Sequence, residues 1–228
     1  MKNEEINEPT KKTRILQAAE VVFSSKGYVQ ATLDEIIEMA DTGKGTVYKY
    51  FGNKEKLFYT LVLQKHQDLM RQFHQVAALQ AGTEEKIKSY LNTWVRFLVH
   101  NSVLWQVLMF EMTGGNRGLR AVRNAAGALE LRAQWGSQPD EAETAEIGRY
   151  IALLEEEVKP FEEIFLEGAR QNFFREGIRI VSVSQNLLFS VSIVVFRHEV
   201  LHGGPEPGWP EHFVQTFVRD FLYGMAEK

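Results

Sequence analysis

The side chains best suited to chemistry lie in one run, 44–51, with the sequence KGTVYKYF. Its lysines can neutralise phosphates, its tyrosine hydroxyls can donate to phosphate oxygens, and its threonine can contact a base edge or a thymine methyl group. Only Val47 and Phe51 are suited to face inward. The run therefore predicts a helix that binds DNA through its polar face. The residues predicted to contact DNA are Thr32, Lys44, Gly45, Thr46, Tyr48, Lys49, Tyr50 and Lys54.

A helix-turn-helix unit is the arrangement that would hold this run against DNA. Thr32 and Glu35 have the spacing of a capping box, which predicts the start of a short helix with an apolar stripe over 33–40. The residues 41–43, DTG, predict a tight turn into the second short helix. A longer periodic helix over 11–25 precedes both. In such a unit the second short helix enters the major groove, and helix N-termini offer backbone N–H groups to phosphates.

Composition sets limits on the class of protein. The 228 residues carry a net charge of −4, whereas 11–56 contains eight basic and six acidic residues and is locally positive. The absence of cysteine excludes disulfides, cysteine-ligated metals and thiol catalysis. The first ten residues are acidic and polar, so we expect no signal peptide. The longest strongly apolar stretch, 187–196, is shorter than the roughly 18 residues of a membrane span, so we expect a cytoplasmic protein without membrane contact.

The rest of the chain shows helical periodicity and no alternating strand pattern, which predicts an all-α fold. We expect a flexible arm at 1–12, a three-helix DNA-binding domain at 13–56, and a larger helical domain for ligand binding and dimerisation at 57–228. The glycine-rich region 114–139 is expected to be partly helical and loosely packed. The other helices are predicted near 54–79, 84–100, 103–112, 142–175 with Pro160 as a kink or new start, 184–202 and 211–226.

Two stretches carry a family resemblance: GYxxATLxxI from Gly27, and KGTVYxYFGNKExL from Lys44. Over about residues 13–60 the sequence resembles the tetracycline-repressor (TetR) family. The resemblance implies a homodimer with an N-terminal DNA-binding domain and a C-terminal helical domain that binds a small molecule. It also implies DNA contacts for the residues named above, except Gly45, which lies within the motif. The family usually has Gly-Val-Ser in the turn where this chain has DTG, and Asp41 tolerates the left-handed conformation such a turn needs.

The function predicted from these features is that of a transcriptional repressor, released from a palindromic operator by a small, largely apolar effector. The last two helices, 184–202 and 211–226, are expected to form the dimer interface. Bulky, soft side chains could line the effector pocket, although each could equally be ordinary core. The candidates are Trp94, Phe97, Trp105, Met109, Phe110, Phe165 and Phe173. A DNA-binding dimer without an effector remains an alternative.

An enzyme is the other alternative, because His198-Glu199-Val200-Leu201-His202 satisfies the His-Glu-x-x-His pattern of zinc hydrolases. The pattern falls directly before Gly203-Gly204-Pro205, at the last turn of its predicted helix. Glu211 and Glu227 are the candidates for a third ligand, but no second cluster of ligands is obvious. We therefore expect no cofactor, no metal and no catalysis.

Overall fold

A computed structural model describes residues 10–112, 117–203, 206 and 208–224, without the side chains of Glu111 and His202. Most of the predicted arm lies outside the described residues. The elements in chain order are α1 Lys11–Gln30, α2 Leu33–Met39, α3 Lys44–Phe51, α4 Lys54–Ala77, α5 Thr83–His100, α6 Ser102–Met112, β1 Leu119–Arg123, β2 Leu129–Ala133, α7 Glu141–Arg170, α8 Ile180–His202 and α9 Trp209–Tyr223.

The first three helices form the predicted helix-turn-helix unit. The capping box is present, with the Glu35 N–H donating to Thr32 Oγ1 at 3.3 Å and the Thr32 N–H donating to Glu35 Oε2 at 3.1 Å. Asp41 adopts a left-handed φ of 46°, which lets the chain turn from α2 into α3. α1 is longer than predicted because it bends at Gly27 (φ 74°, ψ 171°) and continues to Gln30.

The larger domain is built around α5, which packs against α4, α7, α8 and α9. Its Tyr90 ring is stacked between two others, 3.9 Å from the Phe73 centroid and 4.6 Å from the Phe161 centroid. All three rings are fully buried, so they join α4, α5 and α7 into one core. α6 runs back against α1 and places Leu104 and Leu108 in the core of the helix-turn-helix unit.

A β-hairpin replaces the partly helical segment expected in 114–139, where 113–116 lie outside the described residues. β1 and β2 pair antiparallel with Leu119 opposite Ala133. Asn124 closes the turn, since its Oδ1 accepts from the N–H groups of Ala126 and Ala128 at 3.0 Å. The apolar residues of β2 alternate with charged ones, LELRA, and β2 packs on α7. The prediction was wrong because this period-2 pattern is only five residues long.

The two longest helices of the C-terminal half differ from their predicted bounds. α7 passes through Pro160 without ending and stops at Arg170, five residues before the predicted end. α8 begins at Ile180 rather than at Ser184. By length and composition, Ile180–Leu201 could cross a membrane, and 28 % of its most apolar window is buried. Two apolar faces account for this composition, one packed on α5 and α7 and the other exposed.

Candidate functional site

The exposed surface of α3 carries the side chains predicted to contact DNA. Val47 and Phe51 are buried, as predicted, and anchor the helix in the core shared with α1 and α2. Thr46 is half-buried beside them. The remaining members of the set on this helix are exposed: Lys44, Gly45, Tyr48, Lys49 and Tyr50. α3 can therefore lie against a partner without disturbing its own packing.

Lys44 is held in place on this surface by exposed contacts. Its Nζ lies 3.1 Å from Asp34 Oδ1 and 5.9 Å from the centroid of the Tyr48 ring. The hydrogen bond to Asp34 raises the pKa of Lys44, so the ammonium group is charged. Because an exposed ion pair contributes little stability, a phosphate can replace Asp34 at small cost.

Thr32 and Lys54 serve the structure of the unit itself. Thr32 is the exposed N-cap of α2. Lys54 Nζ donates to three backbone carbonyls at the end of α1, those of Tyr28 at 2.9 Å, Val29 at 3.2 Å and Ala31 at 3.0 Å. An ammonium group has three N–H donors, so this set uses all of them. The phosphate contact predicted for Lys54 would require breaking these bonds. In the structure, Lys54 instead links the start of α4 to the end of α1.

A cavity of about 550 Å³ lies between α5, α6, α7 and α8. Four of the predicted ligand-binding residues line it: Trp94, Trp105, Met109 and Phe110. The indole rings of Trp94 and Trp105 meet edge to face at 5.7 Å, and Trp94 Nε1 donates to Ser192 Oγ at 2.9 Å. The other lining residues are Gln106, Leu154, Glu157, Val158, Leu188, Phe189, Ser192, Ile193 and Phe196.

The other three predicted residues lie elsewhere. Phe97 stacks on Trp94 at 5.8 Å and lines a smaller adjoining cavity. Phe165 is fully buried between Phe161 and Phe174 and lines none of the described cavities. Phe173 is 40 % exposed and contacts Phe174 edge to face, so it belongs to the surface. Bulk and apolarity alone did not separate the core from the cavity wall.

A buried histidine and glutamate form the polar end of the cavity. His66 Nδ1 lies 3.1 Å from Glu157 Oε1, and His66 Nε2 lies 3.1 Å from Glu156 Oε2. Burial lowers the pKa of His66, but Glu157 and then Glu156 raise it by more, so it lies above its usual value. Burial raises the pKa of Glu157, more than His66 lowers it. The pair holds a proton more firmly than its isolated members would.

Sequence reasoning missed Glu157, yet a signal for it exists. It occupies a position in the apolar stripe of α7, at helical spacing from the buried Tyr150, Leu153, Phe161 and Ile164. A charged residue in such a stripe is exceptional unless it has a buried partner.

The family described as "Bacterial regulatory proteins, tetR family" matches residues 15–60, which span α1 to the start of α4. The helix-turn-helix unit of this chain is thus of the TetR type.

Curated relatives match this chain over part of its length. YhgD of Bacillus subtilis, an uncharacterized HTH-type transcriptional regulator, is 46 % identical over 48 residues, which cover 21 % of this chain and 25 % of that protein. The transcriptional activator FasR of Mycolicibacterium smegmatis is 31 % identical over 99 residues, covering 43 % and 44 %. The fatty acid metabolism regulator protein of Bacillus subtilis is 27 % identical over 107 residues, covering 47 % and 55 %. The alignments thus span between a quarter and about half of these relatives.

Solved structures match over nearly the whole chain. A putative fatty acid metabolism regulator of Clostridium perfringens superposes with a TM-score of 0.68 at 21 % identity, covering 94 % of this chain and 100 % of that one. FadR of Bacillus subtilis, solved in complex with stearoyl-CoA, superposes with a TM-score of 0.69 at 17 % identity, covering 93 % and 98 %. These likenesses show that this chain shares the overall fold of the two proteins, including that of the larger helical domain.

The His-Glu-x-x-His pattern of this chain lies at the end of α8. The His198 ring packs 4.4 Å from the Trp209 ring, and the His202 side chain lies outside the described residues. Glu211, a candidate third ligand, accepts from Arg96 Nε at 2.9 Å, and Glu227 also lies outside the described part of the chain. Among the described residues no group of three or more His, Asp or Glu side chains could hold a metal ion.

Proposed function

We propose that this protein is a sequence-specific DNA-binding transcriptional regulator. The observation that carries the proposal is the exposed polar face of α3, which two buried anchors hold on a helix-turn-helix unit. Lys44, Lys49, Tyr48 and Tyr50 would contact phosphates, and Thr46 a base edge. The family match over the same residues supports this assignment.

The regulator would act as a homodimer joined through α8 and α9. Phe189, Ile193, Phe196 and Val200 form an exposed stripe on α8, with side chains 50–65 % exposed. Phe221 and Tyr223 on α9 are exposed as well. A large exposed apolar patch marks an interaction surface, and a two-fold dimer buries the same patch on both chains. Such a dimer would place two α3 helices in successive major grooves of a palindrome, about 34–36 Å apart.

The cavity between α5, α6, α7 and α8 would bind a small, largely apolar effector. Its wall is mostly aromatic and aliphatic, which is typical of small-molecule sites. The complex of Bacillus subtilis FadR with stearoyl-CoA supports this proposal, because that ligand carries a long apolar acyl chain. Repression would end because the effector prefers a conformation in which the two α3 helices no longer match the operator.

Fluorescence anisotropy tests the DNA-binding proposal. The purified protein is titrated onto DNA from its own upstream region, and onto a random-library selection if that region fails, with random competitor and at two salt concentrations. Lys49→Ala should weaken binding to every sequence and reduce the salt slope by about 1. Lys159→Ala removes an exposed lysine from α7 and is the matched control. The proposal is wrong if neither DNA source binds, or if the two variants behave alike.

A further inference from the structure

Glu157 stands where two cavities meet. It lines both the large cavity of about 550 Å³ and a small one of about 20 Å³, together with Trp105 and Leu154. Its side chain is almost entirely buried, at 4 % exposure. Any molecule in the large cavity would therefore meet one carboxylate in an otherwise largely apolar wall.

The two carboxylate oxygens of Glu157 differ in their contacts. Oε1 lies 3.1 Å from His66 Nδ1. Oε2 is buried and has no hydrogen-bond partner among the described residues. A buried acceptor without a donor is costly, particularly on a carboxylate. Because Glu157 lines both cavities, a donor on a bound molecule is the partner that Oε2 lacks.

The small cavity next to Glu157 has the size of one polar group or water molecule. Asn101 and Tyr150 line it as well, and Asn101 Oδ1 and Tyr150 Oη are buried without a partner in the part of the chain that the structure describes. Glu157 Oε2 and Asn101 Oδ1 offer acceptor positions, whereas the Tyr150 hydroxyl can donate as well as accept.

The charges around this end exclude an anionic ligand group. Glu156 and Glu157 both contact His66, so one imidazole faces two acidic side chains. Lys65 also lines the small cavity, but its Nζ is 2.7 Å from Glu20 Oε1. A carboxylate placed beside Glu157 would meet a like charge at low dielectric, whereas a hydroxyl or an ammonium group would be stabilised.

We propose that the large cavity selects an apolar molecule bearing one hydrogen-bond donor, a hydroxyl or a protonated amine, which donates to Glu157 Oε2. The proposal rests on the proposed function only for calling this molecule an effector. The aromatic and aliphatic wall contacts the apolar part of the molecule, and Glu157 accepts the hydrogen bond from its donor. A molecule whose polar end is an ether or a carboxylate would leave Oε2 without a donor.

Four probes with similar apolar bodies test this selectivity. Decan-1-ol and 1-methoxynonane are neutral isomers, and only the alcohol has a donor. Decylamine and decanoate form the charged pair. Binding is followed without DNA through tryptophan fluorescence, since Trp94 and Trp105 line the cavity. We expect Kd for the alcohol to be about tenfold or more below that of the ether, because the donor meets a charged acceptor. Decylamine should likewise bind more tightly than decanoate.

The Glu157→Gln variant tests whether Glu157 is the group that discriminates. An amide bonded to His66 through its oxygen turns its NH₂ group toward the ligand, so the preference for the alcohol should fall about tenfold or more, and decanoate should gain affinity. Glu156→Gln is the matched control, since it removes the same charge from the neighbouring residue, which does not line the large cavity. It should keep the wild-type ranking of the four probes.

The possible outcomes separate this proposal from the proposed function. Equal affinity for alcohol and ether, or tighter binding of decanoate than of decylamine, overturns the inference. Binding of none of the four probes also overturns it, while the anisotropy result on DNA stands independently. If Glu157→Gln does not fold, as judged by circular dichroism, the ranking by the wild-type protein alone decides.

Discussion

The Lys54 ammonium group lies 4.7 Å from the centre of the Tyr28 ring and 2.9 Å from the Tyr28 carbonyl oxygen. The first residue of α4 thus closes the end of α1 beyond its bend at Gly27. The same side chain therefore contributes to the stability of the helix-turn-helix unit, which gives it a different expected phenotype from a lysine that meets DNA.

Lys54→Met should lower the free energy of unfolding by about 1–3 kcal/mol, because it leaves three carbonyls without their charged donor. Urea denaturation of the purified protein measures this loss. Lys56→Met, at an exposed position two residues further along α4, is the control and should change stability by less than about 0.5 kcal/mol. Unchanged stability of Lys54→Met, with a salt slope for DNA binding reduced by about 1, would instead assign Lys54 to a phosphate.

Thr46→Ala should change which bases are preferred more than it changes overall affinity. The half-buried Thr46 stands beside the anchor Val47 and offers a hydroxyl and a methyl group to a base edge. Anisotropy on a set of single-base operator variants measures the preference at each position. A uniform loss across all of these variants would place Thr46 against the backbone of the DNA.

Ile193→Glu should convert the dimer into a monomer, because it puts a charge in the centre of the exposed α8 stripe. Sedimentation velocity at micromolar concentration gives the oligomeric state. Val122→Glu on the hairpin, also an exposed apolar position, should leave the dimer intact. A dimeric Ile193→Glu protein would exclude this stripe as the interface.

Stability should fall with rising pH through the His66–Glu157 pair. Because the pKa of His66 is raised in the folded protein, its contribution is complete below the unfolded pKa of about 6.5 and is lost as pH rises through the folded pKa. The raised pKa of Glu157 acts in the same direction, since the folded state again binds more protons than the unfolded chain.

The double variant His66→Gln, Glu157→Gln removes this pair. Glu156, and Lys65 with its partner Glu20, remain in both proteins. Between about pH 6.5 and 8.5, Tm should decline more steeply in the wild type than in the double variant. Tm is measured by differential scanning calorimetry. If Tm declines equally with pH in both proteins, proton binding by the pair does not contribute to stability.

Local signals predicted the helix-turn-helix unit well. The Thr32–Glu35 box and the turn at Asp41 are formed by residues close in sequence, so their chemistry can be recognised without tertiary structure. The His66–Glu157 pair joins residues 91 positions apart, and the capture of Lys54 by carbonyls of α1 also depends on how two helices meet. Such contacts are set by packing, which no short pattern encodes.

Phe189, Ile193 and Phe196 belong to the cavity wall and to the exposed stripe of α8 at once. A ligand and a second chain would therefore contact the same side chains, and neither would bind independently of the other. If ligand binding changes the dimerisation constant by some factor, dimerisation changes the affinity for the ligand by the same factor. The effector concentration that the cell senses would then depend on how much of the regulator it has made.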